Sequence, residues 1–147
     1  MSSTPARPPS REDKPLLTLV VEQNNSAPAL ARAAISAFCE TRDVPERALA
    51  TVKLLVSELV TNAVTHPDLE GPANVRLLAR VGPEVIRVEV TDNGGGFDPI
   101  PHDPSRTGSG FGLFLVDKES VRWGVDKIGG TRVWFEVALD KAIDRLA

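Results

Sequence analysis

Apolar residues recur in this chain at two different spacings, and the switches between them divide it into elements. Residues 16–22, LLTLVVE, are a short β-rich run and predict a first strand. From Ser26 the spacing becomes helical, with Ser26 as a suitable N-cap and Pro28 tolerated in the first turn. A second helix is expected after Asp43, where Asp43 and Glu46 have the spacing of a capping box and Pro45 lies in the first turn. It runs to about His66, where Pro67 and the PDLEGP loop end it. Two alternating segments follow, ANVRLLARV and EVIRVEVTD, joined by Gly82-Pro83. After a glycine-rich stretch and a short helix come VRWGVDKI and TRVWFEVAL, joined by Gly129-Gly130, a strong hairpin signal.

The order β-α-α-β-β-loop-α-β-β does not alternate helix and strand one for one, so it predicts no doubly wound sheet. The expectation is an α+β fold in two layers, a mixed and mostly antiparallel sheet with helices on one face. Residues 15–140 make up the domain. Residues 1–14, rich in proline, serine and charge, read as a disordered tail with no apolar run for a signal peptide or anchor, and 141–147 as a C-terminal tail.

Composition narrows the function classes. At 147 residues, 41% hydrophobic and 25% charged, the chain reads as one soluble domain. A net charge of -3 argues against wholesale nucleic-acid binding, and no segment predicts a membrane span. The single cysteine, Cys39, allows no intramolecular disulfide and no multi-cysteine zinc site, and it fits a reducing cytoplasm.

Three constellations carry candidate chemistry. On the second helix, Val52, Leu55, Val56, Leu59 and Ala63 form an apolar stripe, while Glu58, Asn62 and His66, at i, i+4 and i+8, form a row along its edge. This is either a solvated flank capped by His66 or a carboxylate and an amide held for a ligand. In VEVTDNGGGFDP, strand alternation puts Asp92 on the face of Ile86, Val88 and Val90, pointing inward, where an acid is unusual. An inward Asp92 could accept hydrogen bonds from a ligand's amino group, with Gly94, Gly95 and Gly96 letting backbone pass close to a flat ligand; an ordinary DNG turn is the alternative. In TGSGFGLFLVD, Gly108, Gly110 and Gly112 precede or open a helix. They expose amide N–H groups at its positive end, which suits phosphate as well as it suits a tight loop-to-helix connection. The spacing is neither a Rossmann fingerprint nor a P-loop.

The order of these pieces resembles the GHKL ATP-binding domain shared by gyrase, an ATP-driven heat-shock chaperone, histidine kinases and MutL. SELVTNAVTH is similar to its N-box, DNGGGF to its first glycine box and GSGFGL to its second. The wording of the N-box and the short chain resemble the bacterial anti-sigma factor serine/threonine kinases, over roughly residues 16–139. The resemblance implies ATP and Mg²⁺ as cofactors. It implies that Glu58 is the general base, that Asn62 ligates Mg²⁺ bridging the phosphates, and that Asp92 accepts from the adenine amino group. Gly94 and Gly96 would shape the adenine wall. Gly108, Gly110, Phe111, Gly112 and Leu113 would form the phosphate-side lid and helix start, and Thr131 a further contact near the adenine.

A histidine kinase acting in cis is disfavoured: only His66 and His102 are present, and no helical hairpin is expected before the domain. A gyrase- or MutL-type ATPase would need a transducer domain. Two readings remain. One is a protein serine/threonine kinase acting on an anti-sigma antagonist and holding a sigma factor. The other is a non-catalytic, nucleotide-gated interaction module. A purely structural domain leaves three coincident motifs unexplained. Partners are then a sigma factor, its antagonist, or both, with homodimerisation left open and neither nucleic acid nor membrane involved. The short, proline-rich segment DPIPHDPSRT, including Arg106, departs from the family pattern.

Overall fold

The computed structural model describes residues 17–65, 74–92, 111–127 and 130–140. The elements run β1 (Leu17–Glu22), α1 (Ala27–Glu40), α2 (Glu46–Thr65), β2 (Asn74–Val81), β3 (Val85–Asp92), α3 (Phe111–Glu119), β4 (Arg122–Lys127) and β5 (Thr131–Ala138). The strands form one sheet in the order β1-β2-β3-β5-β4. Every pairing is antiparallel, so the expected mixed character is corrected: β3 pairs with β5 rather than with β4. The connection through α3 delivers β4 to the far edge, and β5 returns between them.

Alternation separates the two faces of the sheet. Ile86, Val88 and Val90 on β3 and Val133 and Phe135 on β5 are fully buried beneath the helices, together with Val52, Leu55, Val56 and Leu59 of α2 and Ile35 of α1. The stripe read from the second helix is therefore the core stripe. Burial of each such side chain is worth roughly 1.5–3 kcal/mol. The opposite face is polar. There Glu136 accepts from Arg87 at 3.1 Å and pairs with Arg122 at 2.7 Å, and Arg132 pairs with Asp126 at 2.8 Å. The Arg87 guanidinium lies 4.1 Å from the Trp134 ring centroid. Gly124 lies opposite Trp134 on that face, and a Cβ there would meet the indole at 2.6 Å.

Two expected caps are not made. Ser26 has helical backbone angles and no capping hydrogen bond from its side chain; the Asn24 side chain instead accepts from the Ser26 N–H at 2.9 Å. Asp43 adopts a φ of 57°, and α2 begins only at Glu46, so no capping box forms. The left-handed Asp43 turns the chain between the helices, while the Val44 N–H donates back to the Cys39 carbonyl at 3.3 Å.

Candidate functional site

Strand register builds a single row across the sheet. Val21 pairs with Val75, Val75 with Asp92, Asp92 with Thr131, and Thr131 with Lys127. All five lie on the helix-facing side, at one end of the sheet. Among the described residues the only polar or charged ones that are buried are Asp92, 3% exposed, and Thr131, 0% exposed, and they are direct cross-strand partners. Burying a carboxylate is costly without polar partners. Concentrating both buried polar groups at one point marks a place built for hydrogen bonding. Lys127 borders it, its Nζ donating to Thr131 Oγ1 at 3.2 Å.

Helix α2 is fixed over the sheet at both ends. In its first turn the Arg47 guanidinium donates to the Ala138 carbonyl at 3.3 Å, at the end of β5 remote from Thr131. In its last turns the Ala63 carbonyl accepts from the Gln23 side-chain amide, just beyond β1. Gln23 follows Glu22, which pairs with Asn74, so this second anchor lies at the Asp92 end of the sheet. Asn62, next to Ala63, is thereby carried to the same end as Asp92 and Thr131. Glu58 is one turn earlier, and both side chains are half-buried. Beside Glu58, Ser57 accepts from Arg32 of α1 at 2.7 Å, which links the two helices at that level.

Helix α3 is held by its other end. Its last turn leads through Ser120 and Val121 into β4, and the Trp123 indole donates to Asp117 at 2.9 Å. Leu113 is fully buried in the common core, so its packing, rather than exposure to a ligand, is what the structure records for it. Phe111 and Gly112 open the helix. Gly94, Gly96, Gly108 and Gly110 lie outside the described residues, as do His66, Arg106 and Gly129.

Of the residues singled out from sequence, the fold thus brings Asp92 and Thr131 into one pair and places Asn62 and Glu58 on the helix that ends beside them. Two others were missed: Lys127 and Gln23. Lys127 carried a readable signal. It shares strand parity with Trp123 and Val125, so it is an inward-facing charge at a strand end, just as Asp92 is. Gln23 carried none, because its partner is 40 residues away.

The donors suit a nucleotide. The pair joins a carboxylate, which accepts hydrogen bonds, to a hydroxyl, which can donate or accept them, the kinds of group that recognise the edge of a flat heterocycle. No group of three or more His, Cys, Asp or Glu side chains converges among the described residues, so they form no cage of that kind. The Asn62 amide oxygen is a hard ligand that could share a Mg²⁺ ion with phosphate oxygens, the manner in which this ion is commonly bound. Among the described residues no helix is long and apolar enough to cross a membrane.

A family model described as the histidine kinase-like ATPase domain matches residues 21–135. Among curated proteins, the anti-sigma F factor of Clostridium botulinum strain Eklund 17B is 29% identical over 133 residues, covering 83% of this chain and 92% of the relative. That of Clostridium beijerinckii is 27% identical with the same coverages. Among solved structures, the RsbU and RsbW domains of Rv1364c from Mycobacterium tuberculosis superpose with a TM-score of 0.63 at 17% identity. That match covers 84% of this chain but only 32% of the larger one, and it is a likeness of fold. The blue-light activated histidine kinase EL346 of Erythrobacter litoralis gives a TM-score of 0.51 at 31% identity, over 69% of this chain and 34% of that one.

Proposed function

The chain belongs to the histidine kinase-like ATPase domain family, and on that premise we propose that it binds Mg-ATP and acts as an anti-sigma factor with serine/threonine kinase activity toward an anti-sigma antagonist. The observation that carries the proposal is the buried Asp92–Thr131 pair at the end of the β3–β5 ladder. Asp92 accepts from the exocyclic amino group of adenine, and Thr131 lies beside it at the same edge of the base. The glycines of the two boxes, Gly94 and Gly96, then Gly108, Gly110 and Gly112, are assigned to the rest of the nucleotide by their sequence motifs.

Glu58 and Asn62 supply the other half of the reaction. Asn62 would hold Mg²⁺, which neutralises phosphate charge when bound. Glu58 takes the proton from the acceptor hydroxyl as that oxygen bonds to the γ-phosphorus and the bond to the β–γ bridging oxygen breaks, leaving ADP and a phosphoserine or phosphothreonine. The α2 anchors at Arg47 and Ala63 support this division of labour, because they hold the Glu58–Asn62 row at a fixed height over the sheet. Similarity to anti-sigma F factors over 83% of the chain supports a sigma factor and its antagonist as partners, and so a place in the cytoplasm.

The test is incubation of the protein with γ-labelled ATP and candidate antagonist proteins. Label appearing on a serine or threonine of one candidate supports the kinase. ATP binding that changes partner capture between ATP and ADP, with no label transferred, would replace it by a nucleotide-gated interaction module.

A further inference from the structure

We infer that Gln23 is a positioning residue for the magnesium site: its side-chain amide completes the last turn of α2 and so holds Asn62 in place to receive the ion. The inference rests on the Mg-ATP reading proposed above, and it concerns a residue outside the three motifs of that reading. In a regular helix the Ala63 carbonyl accepts from the N–H four residues further on. Here that residue is Pro67, which has no N–H to give. The sequence therefore orphans this carbonyl, on a residue that is itself buried, and a buried carbonyl left without a donor is costly. Gln23, 40 positions earlier, supplies the donor from its side-chain amide. A carbonyl can only accept, so the nitrogen of that amide, not its oxygen, faces it.

Gln23 can do this because its own backbone is pinned. It lies between Glu22, the last residue of β1, and Asn24, whose N–H donates to the Glu22 carbonyl at 2.9 Å and closes a tight turn around it. The Asn24 carbonyl accepts from the Ala27 N–H at 3.0 Å, where α1 begins, and Glu22 pairs with Asn74 in the sheet. The contact thus ties the end of α2 to the sheet and to the start of α1 at one point. Ala63 follows Asn62 directly. With the Ala63 carbonyl held, the last turn stays helical and the half-buried Asn62 side chain leaves it in a set direction. Without the donor the turn frays from its end, and the amide oxygen is less often where a shared ion needs it. Mg²⁺ demands near-ideal octahedral placement of its ligands, so its binding is sensitive to such loosening.

The experiment measures ATP affinity by calorimetry in excess Mg²⁺ and in chelator; the ratio of the two is the Mg²⁺ enhancement. The wild type is compared with Gln23→Ala, Gln23→Glu, Asn62→Ala and the Gln23→Ala/Asn62→Ala double variant, with thermal melts to establish that each is folded. Gln23→Ala is expected to lower the enhancement by about 3- to 5-fold, the scale of one hydrogen bond, with affinity in chelator held within about 2-fold. Gln23→Glu keeps the length and packing of the side chain but sets a carboxylate oxygen against the carbonyl, so it should lose as much. In the Asn62→Ala background, Gln23→Ala should leave the enhancement unchanged. A lowered melting temperature with the enhancement intact would mean a purely structural cap and overturns the inference. So does equal weakening in Mg²⁺ and in chelator, or a Gln23 effect that persists without Asn62. These results leave the ATP site standing. A folded wild type that binds no ATP, or binds it without Mg²⁺ dependence, instead overturns the reading of the site, and this inference with it.

Discussion

Asp92 on β3 and Thr131 on β5 face each other directly across the ladder, each at the terminal residue of its strand and each buried. The pair lies on the helix-facing side of the sheet, at the end where α2 is held by Gln23. Asp92→Asn preserves size but sets an amide donor where an acceptor is needed. ATP binding should weaken by about 1–3 kcal/mol, the cost of a mismatched buried polar group. Calorimetry on the folded variant reads this directly, and unchanged affinity would remove Asp92 from the site.

Asn62→Ala should weaken ATP binding on the order of tenfold when Mg²⁺ is present, and little in chelator. Titrations in the two buffers separate a metal ligand from a residue that merely packs. Equal losses would assign Asn62 to the second role.

Glu58→Gln keeps the shape of the side chain and removes the base. Single-turnover transfer to the cognate antagonist should fall by about 10²–10⁴-fold, with nucleotide affinity retained. Undiminished transfer would place the proton acceptor elsewhere.

Gly124→Ala tests the open face of the sheet rather than the site. Its Cβ would lie 2.6 Å from the Trp134 Nε1 and 2.9 Å from Cζ2, so the indole must shift from beneath Arg87. The urea midpoint should fall by an amount equivalent to about 1–2 kcal/mol at constant m, with ATP affinity unchanged. A midpoint at the wild-type value would mean that the ring moves freely.

Burial pushes the Cys39 thiol from 9.0 up to about 11. The unfolded chain then loses this proton at lower pH than the folded one. The thiol's contribution to stability is fully present below pH 9 and declines as pH rises toward 11, by on the order of 2 kcal/mol. Urea midpoints measured between pH 8 and 11 should show this slope in the wild type and lose it in Cys39→Ala.

Local patterns were legible in the sequence wherever one periodicity decides them. Asp92 was placed on the inward face by alternation alone, and the stripe Val52–Leu55–Val56–Leu59–Ala63 by helical spacing. The caps at Ser26 and Asp43 were misread for a common reason. Residue type permits a cap, but the backbone angle decides it, and both residues have angles that the neighbouring turns impose. The pairing of β3 with β5 was hidden because register between strands separated by a helix is a tertiary property. The Asp92–Thr131 opposition depends on that register, whereas the Lys127 contact lies within the β4–β5 ladder. The hold of Gln23 on Ala63 was equally invisible, joining residues 40 apart with no repeating pattern.

The two anchors of α2 make the helix a gauge with a fixed angular phase. Each residue inserted between Arg47 and Ala63 would turn everything beyond it by about 100° and lengthen the helix by about 1.5 Å. The Arg47 contact with Ala138 and the Ala63 contact with Gln23 could then not both form, and keeping the first would leave Glu58 and Asn62 rotated off the site edge. Seven residues, close to two full turns, would restore the direction but overshoot the sheet by about 10 Å. The count of residues between those two contacts, more than the identity of most of them, determines where the carboxylate and the amide point.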